Sequence, residues 1–385
     1  MASETVKGFK DYTGEEALKR EVIKDVLVKN FRLYGFEPAE TPVIEYSEFV
    51  KGNNPSDEAV SDIFRLQDKG KRDLALRYEF TFQLKRISQN KKMPYKRYQI
   101  GYVFRDEPTS SNRFRQITQC DADIVGSSIK DEAENLMMAM RIFKELGIKA
   151  SIYFSNRKLL NEILDKEGIK NKDAVIREID KLDKVDEKVL RENLKKYGAD
   201  KILQILKKSK SAFEKYPSYK EIKEFEKYCR YYGVKAEFSP SLARGLSYYN
   251  GTIFEIKTAE MKETICAGGS YPINNVQATG ISFGIDRLSS LAKIKVKNNR
   301  ILVISIGQDE ESIKLSEKLR DNNIPCIIML GKISKALEFA NSYSLPYVVF
   351  LGEEEAKKKK VKLRDMRTGK EEVVSADELV KLLNK

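Results

Sequence analysis

The stretch Tyr102-Val-Phe-Arg-Asp-Glu-Pro-Thr-Ser-Ser-Asn-Arg-Phe-Arg-Gln116 reads as the end of one strand, a polar loop with a single proline, and the start of a second strand. Arg105 closes the first strand. Arg113 and Arg115 open the next, where the two-residue repeat of a strand puts them on one face. Guanidinium groups converging in this way suit a triphosphate, because each fork donates paired hydrogen bonds to phosphate oxygens. A salt-bridged hairpin accounts for the same residues. Working outward, Tyr98–Arg105 and Ile117–Val125 are the flanking strands, and Ile63–Leu66 and Asp73–Tyr78 form another pair joined by a Lys-Gly turn. Leu18, Val22, Ile23, Val26, Leu27 and Phe31 recur at helical spacing through residues 16–34, and Gly35 suits a stop. Pro42 biases Thr41 toward extended geometry and starts a further stretch through Glu45. Asp131–Glu145 restores helical period. Strands arriving in hairpins with helices outside predict an antiparallel sheet of the α+β kind.

Residues 156–233 change character. They are rich in lysine and glutamate, with Leu159, Leu160, Ile163 and Leu164, then Ile202, Leu203, Ile205 and Leu206, at helical intervals. This predicts a helical insertion, after which residues 236–296 return to short strands and a helix. From residue 298 the pattern alternates: strand Ile301–Ile306, helix Glu310–Arg320, strand Pro325–Leu330, helix Ser334–Ser342, strand Pro346–Leu351. That rhythm predicts a small α/β domain with a mainly parallel sheet. A charged hairpin around Thr368-Gly369 follows, then a helix opened by the capping-box pattern Ser375-Ala-Asp-Glu378. The lysine run Lys357–Lys360 reads as a solvated edge.

The chain has 385 residues, long enough for two or three domains, and no histidine or tryptophan. Missing histidine excludes Ser-His-Asp triads, Cys-His dyads, HExxH sites and histidine-bound zinc. The chemistry must therefore run on arginines, carboxylates, tyrosines and backbone groups. The net charge of +13 fits a polyanionic partner and equally fits a lysine-rich solvated surface. Cys120, Cys229, Cys266 and Cys326 lie far apart, which suits neither a zinc knuckle nor a disulfide framework and points to a reducing compartment. Met1-Ala-Ser-Glu4 lacks a secretory pattern, and no apolar run nears the roughly 20 residues of a membrane span. A soluble, cytoplasmic protein without membrane attachment is the expectation.

A second segment, Gly280-Ile-Ser-Phe-Gly-Ile-Asp-Arg-Leu288, is an apolar strand with glycines feeding a helix whose first turn holds Arg287. The glycines permit close backbone approach to a flat ligand, and an arginine at a helix N-terminus wants an anion beside it; a simple packing turn with a surface arginine is the alternative. Together these two segments resemble motifs 2 and 3 of class II aminoacyl-tRNA synthetases. Leu76-Arg-Tyr-Glu-Phe-Thr81, Gln119-Cys-Asp-Ala-Asp-Ile-Val-Gly126 and Leu242-Ala-Arg-Gly-Leu-Ser-Tyr-Tyr249 are similar to the histidyl-tRNA synthetase family in particular.

The resemblance spans nearly the whole chain and implies four parts. Residues 1–155 would be the first portion of the catalytic domain, with motif 1 around Pro42; 156–235 a helical insertion; 236–297 the rest of the catalytic domain; and 298–385 an anticodon-binding domain. It implies ATP-dependent activation of histidine and its transfer to tRNA(His), by a homodimer built through motif 1, with Mg2+ accompanying ATP. No metal ligands are assigned. Glu79, Thr81 and Gln119 would hold the substrate ammonium, since one anion and two oxygen acceptors match three N–H donors. Asp123 and Tyr249 would take the imidazole nitrogens, with Tyr248 as their neighbour in the histidine site. Arg105 would contact the α-phosphate and substrate carboxylate, Arg113 and Arg287 the terminal phosphates, and Arg244 the charge developing at the α-phosphate. Arg105 and Arg244 are thus the expected catalytic groups. Gly268 and Gly269 resemble the family's glycine pair beneath the substrate. Ser247 stands where the family commonly has aspartate, and Ser270-Tyr271-Pro272 replaces a frequent Arg-Tyr-Asp, away from the contacts just named. Two rival readings are a non-charging paralogue that regulates ATP phosphoribosyltransferase and a tRNA-sensing module.

Overall fold

The hairpin predicted from residues 102–116 is present: Tyr95–Phe104 pairs antiparallel with Gln116–Val125 over their full lengths. The computed structural model describes residues 4–52, 60, 62–110, 113–182, 185–245, 247–296 and 298–384. Ser111 and Asn112 of the hairpin loop, Leu246 of the Arg-Gly-Leu segment and the N-terminal Met1-Ala-Ser lie outside the described residues.

The hairpin is the heart of an eight-stranded sheet whose order is Glu37–Pro38, Tyr95–Phe104, Gln116–Val125, Val276–Gly284, Met261–Ile273, Thr252–Thr258, Ser151–Asn156, Ala236–Phe238. Its interior pairings are antiparallel, and the two outermost are parallel. Strand alternation sorts the residues of Gln116–Val125. Cys120, Ala122 and Ile124 enter a hydrophobic core with Ile23, Leu27 and Phe31 of helix Gly14–Leu33 and Leu136, Ala139 and Phe143 of helix Ile129–Glu145. Gln119, Asp121 and Asp123 therefore occupy the opposite face. Phe31 stacks on Tyr98 with ring centroids 5.3 Å apart. Gly35 has φ +79°, the left-handed conformation of a glycine helix stop, which explains why the first helix ends where its periodicity does.

Helices Arg157–Lys166, Lys172–Ile179, Glu187–Lys195, Ile202–Leu206 and Tyr219–Tyr231 follow strand Ser151–Asn156 and precede strand Ala236–Phe238. Their apolar faces, including Leu160, Ile163, Leu203 and Phe225, merge with the sheet's own core rather than closing a separate one. Phe154 of the sheet packs on Phe225 with centroids 4.7 Å apart. The proline-led stretch at Thr41 is extended only at Ile44–Tyr46, in a three-stranded sheet with Asp73–Leu76 and Arg65–Gln67. Helix Thr81–Ile87 is absent from the sequence reading. It is a two-turn element, too short to show a helical period or to be stable alone, so tertiary packing sets its conformation.

The chain divides into two compact units, Met1–Ile294 and Lys295–Lys385. In the second, strands Cys326–Leu330, Ile301–Ser305 and Tyr347–Leu351 are parallel neighbours, and Lys360–Asp365 and Glu371–Ser375 extend the sheet antiparallel. Ile301–Ser305 is buried on both sides, as an unbroken apolar run in a covered sheet should be. Ile301 and Val303 meet Leu315, Leu319 and Leu379, whereas Leu302 and Ile304 meet Ala336 and Ala340. The capping box at Ser375 forms: its backbone N–H donates to Glu378 Oε2 (2.8 Å) and its hydroxyl accepts from Glu378 N–H (3.3 Å). No helix among the described residues is long and apolar enough to cross a membrane.

Candidate active site

Sheet register carries polar residues into three rows on the face away from the long helices. One row runs Arg97, Asp123, Gly280, Gly269; the next Gln99, Asp121, Ser282, Ala267, Glu255; the third Gly101, Gln119, Gly284. Two adjoining cavities stand on these rows. The smaller, about 80 Å³, is lined by Glu79, Thr81, Asp121, Asp123, Tyr248, Tyr249, Gly268 and Tyr271; the larger, about 180 Å³, by Glu107, Arg113, Phe114, Thr264 and Arg287. Arg105, Gln119, Arg244, Ala267 and Ser282 line both. Every side chain expected to bind substrate is thus brought to one continuous depression. Gly269 lies beneath it with φ +156°, and an added Cβ would stand 2.5 Å from the Thr252 carbonyl oxygen.

The smaller cavity is acidic and aromatic. Glu79 sits just before helix Thr81–Ile87, and burial pushes its carboxyl up to about 7, with Arg105 pulling the other way. The Tyr248 hydroxyl lies 3.4 Å from Glu79 Oε2, so this ring is a wall of the cavity and not merely packing for Tyr249. Tyr248, Tyr249 and Tyr271 form one aromatic cluster, with centroids 4.8, 5.4 and 6.2 Å apart. Asp123 accepts a hydrogen bond from the Tyr271 hydroxyl through Oδ1, and its Oδ2 lies 2.8 Å from Nη2 of the wholly buried Arg97. Tyr271 therefore belongs to the site through Asp123, which corrects the expectation that the segment after the glycines stands apart from it. Ser270 points the other way: its hydroxyl donates to Glu132 on helix Ile129–Glu145, whose carboxyl burial pushes up to about 7. Ser247 lines neither cavity.

The larger cavity is the cationic end. Arg105 Nε donates to the Tyr78 carbonyl (3.2 Å) and Nη2 reaches Gln119 Oε1 (3.4 Å), which holds the guanidinium between the cavities. Arg113 is ion-paired with Glu107, a half-exposed arginine against a buried carboxylate. Arg287 Nη1 donates to the Thr264 carbonyl (2.5 Å). Burial lowers the pKa of Arg287; Glu263 opposes this, and the charges of Arg105 and Arg113 lower it further. Three guanidinium groups close enough to repel one another make a site that a polyanion relieves. Arg244 Nη1 donates to Glu255 Oε1 (2.8 Å), and Glu255 is shared with Thr264 Oγ1 (2.9 Å) and Lys257 Nζ (3.4 Å). Gly284 has open space where a side chain would begin, but Gly280 approaches the Asp123 carboxylate rather than a ligand.

Among the site residues that escape the sequence reading are Arg97, Glu107, Asp121, Glu255 and Tyr271. Asp121 carries a local signal, since it stands two residues from both Gln119 and Asp123 on one strand, and Glu107 lies within the arginine-bearing loop segment. Arg97 and Glu255 reach the site through strand pairing, which no local pattern encodes.

Comparison with known proteins agrees with this geometry. Residues 8–288 match the family model described as histidyl-tRNA synthetase, and residues 300–385 match an anticodon binding domain. The chain is 34% identical to histidine–tRNA ligase 1 of Bacillus thuringiensis subsp. konkukian, over 96% of this chain and 97% of that protein. It is 33% identical to the histidine–tRNA ligase of Wolinella succinogenes, over 95% and 94% of the two. The histidyl-tRNA synthetase structure from Nostoc sp. PCC 7120 superposes with a TM-score of 0.85 at 24% identity, covering 100% of this chain and 99% of that one. A Bacillus halodurans structure described as an ATP phosphoribosyltransferase regulatory subunit/histidyl-tRNA synthetase gives 0.78 at 20% identity, covering 91% and 98%. With a family match over most of its length and relatives that share a third of its residues end to end, this chain belongs to the histidyl-tRNA synthetase family.

Proposed function

We propose that the protein is a histidine–tRNA ligase that activates histidine with ATP and transfers it to tRNA(His). The observation that carries this reading is the junction of an acid-lined, tyrosine-walled pocket with a cavity of converging arginines. Glu79, Thr81 and Gln119 take the ammonium, whose positive charge offsets the cost of ionising the buried Glu79. Asp123 and Tyr249 serve the imidazole, with Tyr248 closing the wall. Arg105 bridges the substrate carboxylate and the α-phosphate from its place between the cavities, and Arg113 and Arg287 hold the outer phosphates. To do so Arg113 exchanges its Glu107 partner for phosphate oxygens.

Activation needs no general base. The ionised carboxylate of histidine attacks the α-phosphorus; the new O–P bond forms as the bond to pyrophosphate breaks, and Arg244 stabilises the charge on the phosphoryl oxygens. In the second step the terminal ribose hydroxyl of tRNA attacks the acyl carbon, and the leaving phosphate receives its proton. No group of three His, Cys, Asp or Glu among the described residues is spaced to hold a metal. The carboxylate of Glu107, among the arginines, fits a magnesium ion carried in on the triphosphate, where the ion would neutralise phosphate charge. Residues 298–385 would read the anticodon. Exposed Val43, Ile44, Tyr46 and Tyr102 support a homodimer through the motif 1 region. A cytoplasmic setting belongs to the same proposal. Retention of Arg105, Arg113, Arg244 and Arg287 speaks against the two non-charging readings.

ATP–pyrophosphate exchange measured with each amino acid is expected to respond to histidine alone, and tRNA(His) to be charged; exchange driven by another amino acid would end this reading. Gly280 offers a sharper probe. A Cβ there would lie 2.0 Å from Asp123 Oδ1 and 3.0 Å from the Tyr271 hydroxyl, so the carboxylate must move. Gly280→Ala is expected to raise the KM for histidine about tenfold or more while leaving that for ATP within about twofold. An unchanged histidine KM would remove Asp123 from the imidazole.

A further inference from the structure

Residues 4–13 precede the first helix and form neither helix nor strand. Ordering such a segment costs about 1–2 kcal/mol per residue in backbone entropy, so contacts that outweigh this cost must hold it. Those contacts fall on the two segments that carry the arginines of the larger cavity. At one end the Gly8 carbonyl accepts from the backbone N–H groups of Arg115 (2.9 Å) and Gln116 (3.3 Å). The Arg115 carbonyl in turn accepts from the N–H of Arg105 (2.9 Å), so Gly8 adds a third edge to the hairpin where its arginines begin. Phe9 packs on Phe104 of the same hairpin, with ring centroids 6.3 Å apart. At the other end the Tyr12 hydroxyl donates to Oδ1 of Asp286, the residue before Arg287 (2.8 Å).

Asp286 is an acid on the wall of the cationic cavity. Left free, its charge would repel a phosphate and compete for the arginines. Three donors occupy it instead: Tyr12 and Nη1 of the buried Arg20 (2.7 Å) on Oδ1, and the Thr118 N–H (3.0 Å) on Oδ2. The Arg20 guanidinium also stacks on the Tyr12 ring, 3.7 Å from its centroid, and Nη2 donates to Thr118 Oγ1 (2.6 Å). Tyr12 therefore ties the irregular segment to the first helix, to the strand of Gln119 and to the helix of Arg287 at one point.

We propose that residues 8–12 are a strap that positions the triphosphate site, with Gly8 and Tyr12 as its two positioning residues. Gly8 fixes the backbone that follows Arg113, and Tyr12 keeps the Asp286 carboxylate in its three-donor seat beside Arg287. This rests on the histidine–tRNA ligase reading, which gives the outer phosphates to Arg113 and Arg287. Both strap residues act through others, so their influence belongs on the outer phosphates of ATP and not on histidine.

The test is Tyr12→Phe in the full-length protein, with Gly8→Ala as a second variant. The first keeps the ring on Arg20 and removes only the hydroxyl. In the second, Gly8 has φ +86°, and an added Cβ would stand 2.8 Å from Thr109 Cγ2 and Arg115 Cγ, so the strap must shift. The expected result in histidine-dependent ATP–pyrophosphate exchange is an ATP KM raised about fivefold or more, with the histidine KM within about twofold and the Tm close to wild type. The Kd of ATP with Mg2+, measured by isothermal titration calorimetry, should rise by a similar factor. That of AMP, which lacks the outer phosphates, should stay within about twofold. An ATP KM within about twofold of wild type in either variant would overturn the proposal. So would an AMP Kd that rises in step with that of ATP, which places the effect away from the outer phosphates. Histidine and ATP KM values that rise together with a lowered Tm mark a merely structural segment and overturn it as well. Absence of histidine-dependent exchange in the wild type would overturn the ligase reading alone, and the ATP and AMP Kd values would still decide for or against the strap.

Discussion

Arg244→Ala is expected to lower histidine-dependent ATP–pyrophosphate exchange by about 10²–10³-fold or more while the protein stays folded. Arg244 lines both cavities, so its guanidinium faces the place where carboxylate and α-phosphate meet. Charge builds on the phosphoryl oxygens in the transition state, and a preorganised cation there acts on kcat more than on KM. Glu255 is what preorganises it, at 2.8 Å. With Arg244 gone, Glu255 keeps Thr264 at 2.9 Å and Lys257 at 3.4 Å, so no unpaired carboxylate is left in the sheet and the far-UV circular dichroism should match wild type. Exchange at the wild-type rate would remove Arg244 from catalysis.

The largest stability effect should come from Arg97→Met. Arg97 is fully buried on the floor of the site and faces Asp123, which is itself 4% exposed. Removing one member of a buried ion pair while leaving the other costs about 3–5 kcal/mol, because the remaining charge is uncompensated. The loss should appear as a lower urea midpoint for the transition followed by circular dichroism. Adding Asp123→Asn neutralises the orphan and is expected to recover most of the loss, though not activity. If the single variant unfolds at the wild-type midpoint, the pair does not support the fold. If the double variant is as unstable as the single, packing rather than charge is what Arg97 supplies.

The fold was legible wherever a local period or stop signal agreed with the final packing. The strand alternation of residues 117–125, the glycine stop at Gly35 and the βα rhythm from Ile301 onward all correspond to observed elements. Helix Thr81–Ile87 was not legible, because two turns are too short to show a helical period. At the site, the arginine-bearing segments stood out by their chemistry, and the family resemblance pointed to Asp123 and Tyr249, which line the same cavity. What stayed hidden was the support beneath them. Arg97 stands opposite Asp123 only because 97 pairs with 123 across two strands, and Glu255 reaches Arg244 only through the register of Thr252–Thr258 with its neighbours. Arg97 and Asp123 are 26 residues apart, and although Glu255 follows Arg244 by only 11, nothing in the local pattern sets the register that brings them together.

The merged interior of the lysine-rich helices and the central sheet has a mechanical consequence. Phe225 is wedged against Phe154, and both belong to one apolar cluster that the helices and the sheet share. The helices from Arg157 to Tyr231 are therefore packed as part of the central sheet's own interior. A load applied to their outer surface passes as strain into strand Ser151–Asn156, and from there into Thr252–Thr258, the strand that carries the anchor for Arg244.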